Sequence, residues 1–333
     1  MTAQTACIFG CAGPRLSQEE AQFFHRAQPW GFILFARNLE DADQIRALTA
    51  DLRAAVGHAA PIFIDQEGGR VQRMWPPLVR QWLPPLDDVA RFGAAADDAM
   101  RLRYRIISAE LLDLGIDGNC VPAVDVARPE THPIVRNRLL GDDPQTVARL
   151  GRVVADACLA GGVLPVVKHL PGYGRGKVDS HLSLPFTDAD GAALESDFAP
   201  FRALADLPLG MTAHIVLSAI DGRAATMSPP VIDLIRTHIG FGGLLMTDDI
   251  SMQALSGSVA DRGRAVLDAG CDIVLHCNGD LDEMRAMTDA AGPMTDRAVD
   301  RGRAALNARI AAPAVDIDAL AAEFETLVTA AGQ

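Results

Sequence analysis

The sequence predicts a (β/α)8 TIM barrel, and three observations carry that prediction. Short apolar runs alternate about eight times with segments of helical spacing. The runs are continuously apolar, as strands covered on both faces must be. Charged and polar side chains gather just after the runs, where a parallel barrel assembles its site. A doubly wound open sheet shares the rhythm and is the alternative. At 333 residues and 49% hydrophobic content the chain has material for one large core. Residues 1–333 are therefore read as a single barrel domain, with C-terminal helices from about residue 280 packing on it.

Taken in order, Ala6 to Gly10 is the first strand, and Ser17 with Glu20 forms a capping box for a helix through His25. Gly31 to Ala36 is the second strand, followed by a helix with Ile45, Leu48, Leu52 and Val56 on one face. Pro61 to Ile64 is the third, and it ends in Asp65-Gln66-Glu67-Gly68-Gly69-Arg70-Val71-Gln72-Arg73, too dense in charged and amide groups for a simple turn. Met100, Tyr104, Ile107, Leu111 and Leu114 mark a long helix, and a strand around Cys120 to Val126 carries Asp125. Asp143-Pro144 opens the next helix and Gly161-Gly162 closes it. The run Val163 to Val167 then delivers Lys168 and His169 to a glycine-rich loop that returns Asp179 and His181. Three further strands follow, at Gly210 to Ile215, Gly243 to Met246 and Cys271 to Leu275, with His214, Asp248 and His276 at or beyond their ends.

Composition excludes several classes. A formal charge of -13 would repel nucleic acid and anionic membranes. The six cysteines show no CxxC spacing and read as reduced core residues of a cytoplasmic protein. Met1 to Gly13 lacks a basic start and a long apolar stretch, and no run elsewhere reaches membrane-spanning length. With no glycine-rich dinucleotide or phosphate fingerprint, no HExxH and no Cys/His set, neither a cofactor nor a metal is indicated.

The strand ends hold Asp65, Arg73, Asp125, Lys168, His169, His214, Asp248 and His276, and barrel closure would bring many of them round one mouth. Each has a plainer competitor. Asp248 or Asp249 could cap a following helix, Asp249 being the better candidate. Lys168 could form a Schiff base. His181 could be an ordinary loop histidine, and His214 and His276 could serve packing as readily as ligand contact. Asp125 reads as structural. A carboxylate two residues from an imidazole, as in Asp179 and His181, can orient the ring and raise its pKa, which suits a proton donor.

Asp65 through Arg73, Lys168-His169 with Pro171-Gly172 and Asp179-Ser180-His181, and Thr247-Asp248-Asp249 with Met252 resemble the motifs of glycoside hydrolase family 3. Within it they are most similar to the β-N-acetylhexosaminidases of bacterial cell-wall recycling. The resemblance spans about Gly31 to Gly279, in the expected order. It implies a retaining hydrolase that removes terminal β-linked N-acetylglucosamine, with Asp248 as nucleophile, His181 as acid/base catalyst and Asp179 as its partner. Asp65, Arg73, Arg138, Lys168 and His169 match the sugar-contacting positions. The implied substrate is N-acetylglucosaminyl-1,6-anhydro-N-acetylmuramic acid, with or without peptide, and a monomer is expected.

The implied chemistry is physically coherent. An oxocarbenium-like transition state needs an anion on one face of the sugar and a proton donor at the leaving oxygen, and retention needs that anion close enough to bond C1. A histidine donor leaves room for an anionic acceptor that a carboxylate would repel, so another β-glycosidase or a phosphate-dependent enzyme is the alternative. A sugar-binding protein without catalysis is a third reading. The chain departs from the family where Tyr173 replaces the usual histidine and Leu170 the usual phenylalanine. Around Pro133 to Leu140 the match is loose, and Arg138 is preferred over Arg136.

Overall fold

A computed structural model describes residues 3–178, 183–309 and 315–332. Eight parallel strands build the sheet: β1 (Thr5–Gly10), β2 (Pro29–Leu34), β3 (Ile62–Ile64), β4 (Gly118–Asn119), β5 (Leu164–Leu170), β6 (Leu209–Thr212), β7 (Leu244–Met246) and β8 (Val274–His276). Each pairs with its sequence neighbour from β1 to β7, and β1 also pairs with β8. A parallel bridge between Met246 and Ile273 joins β7 to the approach of β8, so the sheet curls round into the predicted (β/α)8 barrel.

The inward faces of the strands fill the barrel. Ile8, Phe63, Cys120, Val166, Met211, Met246 and Leu275 belong to one apolar cluster. A larger cluster lies between strands and helices and takes in Ile45, Leu48, Leu52 and Val56, the face expected of helix Ala42–Val56. Helix Gln18–Ala27 begins with the capping box of Ser17 and Glu20, and Asp143 and Ser228 cap the helices after them with their side chains.

The strand expected around Cys120 to Val126 is reduced to Gly118–Asn119. Pro122 has no N–H to give to a ladder, and the chain beyond it forms a single isolated bridge with β5, Ala123 to Lys168. β5 is longer than expected and includes Lys168 and His169, which fall where its register with β6 shifts between Val167 and Leu170.

The expectation of charge only after the strands needs correcting, since Asp117 and Asp272 stand just before β4 and β8 and are buried. Asp117 accepts from the Ile62 N–H at 2.7 Å and pairs with Arg53 at 3.1 Å and with Arg309. Asp272 accepts from the Leu245 N–H at 2.9 Å and pairs with Arg236 at 2.6 Å and Arg301 at 2.8 Å. Arg301 lies on helix Asp296–Asn307, which seals this end of the barrel with Ala298, Gly302 and Ala305 facing in. Gly302 is needed there, because a Cβ would come within 2.8 Å of the Trp30 indole nitrogen.

Helix Ile317–Ala331 lies against the flank and buries Phe324 edge-on to Trp82 and Phe92, with ring centroids 5.0 and 5.4 Å apart. Arg80 stacks on both Trp82 and Phe324, pairs with Glu325, and gives its backbone N–H to Glu110 at 2.9 Å. Among the described residues no helix is long and apolar enough to cross a membrane.

Candidate active site

One pocket at the C-terminal mouth of the barrel is lined by Asp65, Arg73, Arg138, Lys168, His169 and Asp248, with Ile33, Met211, Leu275 and Cys277 as apolar neighbours. Six of the eight residues expected at the site thus share one cavity. The other two, Asp179 and His181, lie outside the described residues.

The segment after β3 doubles back as a short hairpin, Gln66–Gly68 against Val71–Gln72. Gly68 and Gly69 make its turn with φ of +101° and +59°, a region in which side chains with a Cβ are strained. The hairpin sets Asp65 and Arg73 side by side, with Arg73 Nη2 giving to Asp65 Oδ2 at 2.9 Å. Lys168 reaches the other oxygen of Asp65 at 2.9 Å. Burial pushes the Asp65 carboxyl up, but the charges of Lys168 and Arg73 outweigh it and hold the group well below the usual carboxylate range. Lys168 is only 2% exposed, and burial alone would discharge it; Asp65 and Glu67 reverse the sign and hold it charged above its ordinary value. A permanently charged lysine is a poor amine nucleophile, which argues against the Schiff-base role.

Arg138, not Arg136, enters the pocket. Its Nε and Nη2 give to the two oxygens of Glu67 at 2.9 and 2.8 Å, whereas Arg136 turns back to the Arg128 carbonyl. Glu67 also takes the Lys168 ammonium at 2.6 Å. Buried to 1% exposure, it is nevertheless lowered to about 2, because Arg138 and Lys168 more than offset its desolvation. Sequence reasoning quoted Glu67 within its motif but gave it no role.

His169 donates from Nδ1 to the buried Asp125 carboxylate at 2.7 Å, which fixes the orientation of its ring at the pocket wall. The other Asp125 oxygen accepts the Tyr173 N–H at 2.6 Å, so Asp125 braces the start of the glycine loop. Tyr173 lines the pocket and gives its hydroxyl proton to the Val178 carbonyl at 3.0 Å.

Asp248 follows β7 directly. Burial pushes its carboxyl up, while the positive potential of His214 and His169 and the Asp249 N–H, which donates at 2.8 Å, bring it below its ordinary value. It is a fixed anion in a wall otherwise rich in cations. Asp249 caps no helix. Its carboxylate accepts from Ser251 N–H at 3.0 Å and Cys277 N–H at 3.2 Å, tying the turn after β7 to the end of β8. His214 donates to the Asp249 carbonyl at 2.9 Å, and His276 donates to Glu283 at 2.9 Å; neither lines the pocket. Among the described residues no group of three or more His, Cys, Asp or Glu could hold a metal ion.

The architecture has known counterparts. A β-hexosaminidase of Alkalilimnicola ehrlichii is 36% identical over 283 residues, covering 81% of this chain and 80% of that one. A β-hexosaminidase of Chromobacterium violaceum is 36% identical over 292 residues, covering 85% and 81%. NagZ from Neisseria gonorrhoeae, solved in complex with N-trifluoroacetyl-D-glucosamine, superposes with a TM-score of 0.84 at 29% identity, over 99% of this chain and 97% of that one. A family 3 β-N-acetylglucosaminidase from Paenibacillus sp. superposes with a TM-score of 0.87 at 28% identity, over 98% of this chain and 66% of that one. Residues 4–305 match the model of the glycosyl hydrolase family 3 N-terminal domain, and the chain belongs to that family.

Proposed function

We propose that this protein is a retaining exo-β-N-acetylglucosaminidase that releases terminal β-linked N-acetylglucosamine from peptidoglycan fragments, namely N-acetylglucosaminyl-1,6-anhydro-N-acetylmuramic acid with or without its peptide. The observation that carries it is the buried anion Asp248, set in the same pocket as Asp65, Arg73, Lys168 and Arg138. Such an array suits a polyhydroxylated ring: Asp65 accepts from sugar hydroxyls, and Arg73, Arg138 and Lys168 donate to them in charge-assisted bonds. His169, its ring held by Asp125, adds one more polar contact through Nε2. Asp248 attacks C1 as the bond to the leaving oxygen breaks, giving a covalent glycosyl-enzyme. His181, partnered by Asp179, gives the leaving oxygen its proton and takes one back from the water that frees the sugar. The β-hexosaminidase names of the relatives and the glucosamine derivative bound to the Neisseria enzyme support N-acetylglucosamine as the sugar. Six unpaired, buried cysteines favour a reducing, cytoplasmic setting, in which the protein acts as a monomer.

The test compares a chromogenic β-N-acetylglucosaminide with the β-glucoside, each with and without phosphate, and follows the anomer released by NMR. The N-acetylglucosaminide is expected to be the better substrate, with β product and no phosphate requirement. Asp248→Asn is expected to lose about 10⁴-fold in turnover while still binding N-acetylglucosamine. Glucoside preference, phosphate dependence, or an active Asp248→Asn variant would overturn the proposal.

A further inference from the structure

Glu67 does not line the pocket, yet it holds two residues that do. Arg138 grips both of its oxygens, and Lys168 shares Oε1 at 2.6 Å. Lys168 continues to Asp65 and Asp65 to Arg73, so five alternating charges run along one wall. Glu67 is the link behind the wall.

Its backbone is as firmly held as its side chain. Both the Arg103 guanidinium and the Tyr104 hydroxyl, the latter at 3.2 Å, donate to the Glu67 carbonyl. Arg103 has no solvent exposure and is itself paired with buried Asp88. The guanidinium lies so close to Gly68 that a Cβ there would strike it. Helix Ala96–Asp113, which carries Arg103 and Tyr104, therefore sets where the Glu67 carboxylate stands.

The charge arithmetic explains why such a group is needed. Without Glu67 the run of ion pairs would hold three cations, Arg73, Lys168 and Arg138, with Asp65 as its one carboxylate. Among the described residues Arg138 would then lose its one carboxylate partner and Lys168 one of two, and like charges would spread their rotamers. A neutral sugar hydroxyl gains from a cation only when the donor is already aimed, since it cannot order a loose side chain by charge. We infer that Glu67 is a positioning residue: its buried carboxylate fixes Arg138 and Lys168 in the geometry that receives the sugar, without touching the sugar itself. This rests on the proposed function, in which those two cations bind substrate.

Glu67→Gln removes the charge and turns an amide donor toward one of the cations; Glu67→Asp keeps the charge but cannot reach both partners. Kinetics on the chromogenic N-acetylglucosaminide, with thermal unfolding of each variant, test the role. The glutamine variant is expected to raise KM at least about tenfold and the aspartate variant about fivefold, with kcat falling less than KM rises. A group needed only for folding would lower the active fraction, so that kcat drops and KM stays. KM within twofold of the parent in the folded variants overturns the inference; should the glutamine variant fail to fold, the aspartate variant decides. An inactive parent enzyme would instead overturn the functional reading beneath it.

Discussion

The two ends of this barrel use the same chemistry for opposite purposes. At the N-terminal end, Asp117 and Asp272 each take one backbone N–H and two arginines, Arg301 on helix Asp296–Asn307 reaching Asp272 and Arg309 just beyond it reaching Asp117. At the C-terminal end, Asp65 also meets two cations, but among the described residues no backbone N–H is bonded to its carboxylate, and the group faces a cavity. The lower aspartates are finished locks between strands and helices. The upper one has lone pairs to offer a ligand. Charge pairing alone therefore does not mark a site; what marks it is pairing left incomplete on the side of a pocket.

The sharpest way to break the comparison is to neutralise one aspartate at each end. Asp65→Asn is expected to lower kcat/KM about 10³-fold, the equivalent of about 4 kcal/mol, with a smaller loss of stability than the lower substitution causes. Asp272→Asn should do the reverse, costing about 3 kcal/mol in denaturant unfolding by leaving Arg236 and Arg301 short of a charge, with KM of the folded enzyme unchanged. If the lower substitution moved KM or the upper one only stability, the division would fail.

Glu110 on the flank is the smallest and most specific case. Burial raises its carboxyl from 4.5 to about 7 against the opposing Arg80 N–H and charge. The folded state thus holds a proton that the unfolded chain releases between those values, and stability falls as pH rises through that window. The loss is on the order of 2 kcal/mol, and Glu110→Gln should abolish it, as urea melts at pH 5 and pH 8 would reveal. A parent protein equally stable at both values would contradict this.

Much of the barrel could be read in advance because its strands are apolar runs that stop abruptly at charged residues: Ile64 before Asp65, Met246 before Thr247-Asp248. The short β4 could not, since its apolar continuation Val121 to Val126 looks like a strand until the missing N–H of Pro122 is weighed against a ladder. Of the six expected residues that line the pocket, five belong to the recognised motifs and Arg138 to a loosely matching stretch. Glu67 was not given a role because nothing local distinguishes a buried carboxylate within a polar hairpin. Its partner Arg138 lies 71 positions away, and only folding reveals the pair. The acidic locks were missed for the same reason, as Asp117 meets Arg309 across 192 positions.

The family match stops at residue 305, yet Phe324, nineteen positions further on, is 3% exposed. A protein shortened to the matched region would uncover the Trp82 and Phe92 rings and strip Arg80 of its Glu325 counterion. Such a bare aromatic face invites self-association, so anyone trimming the tail for crystallisation should expect precipitate before inactivity.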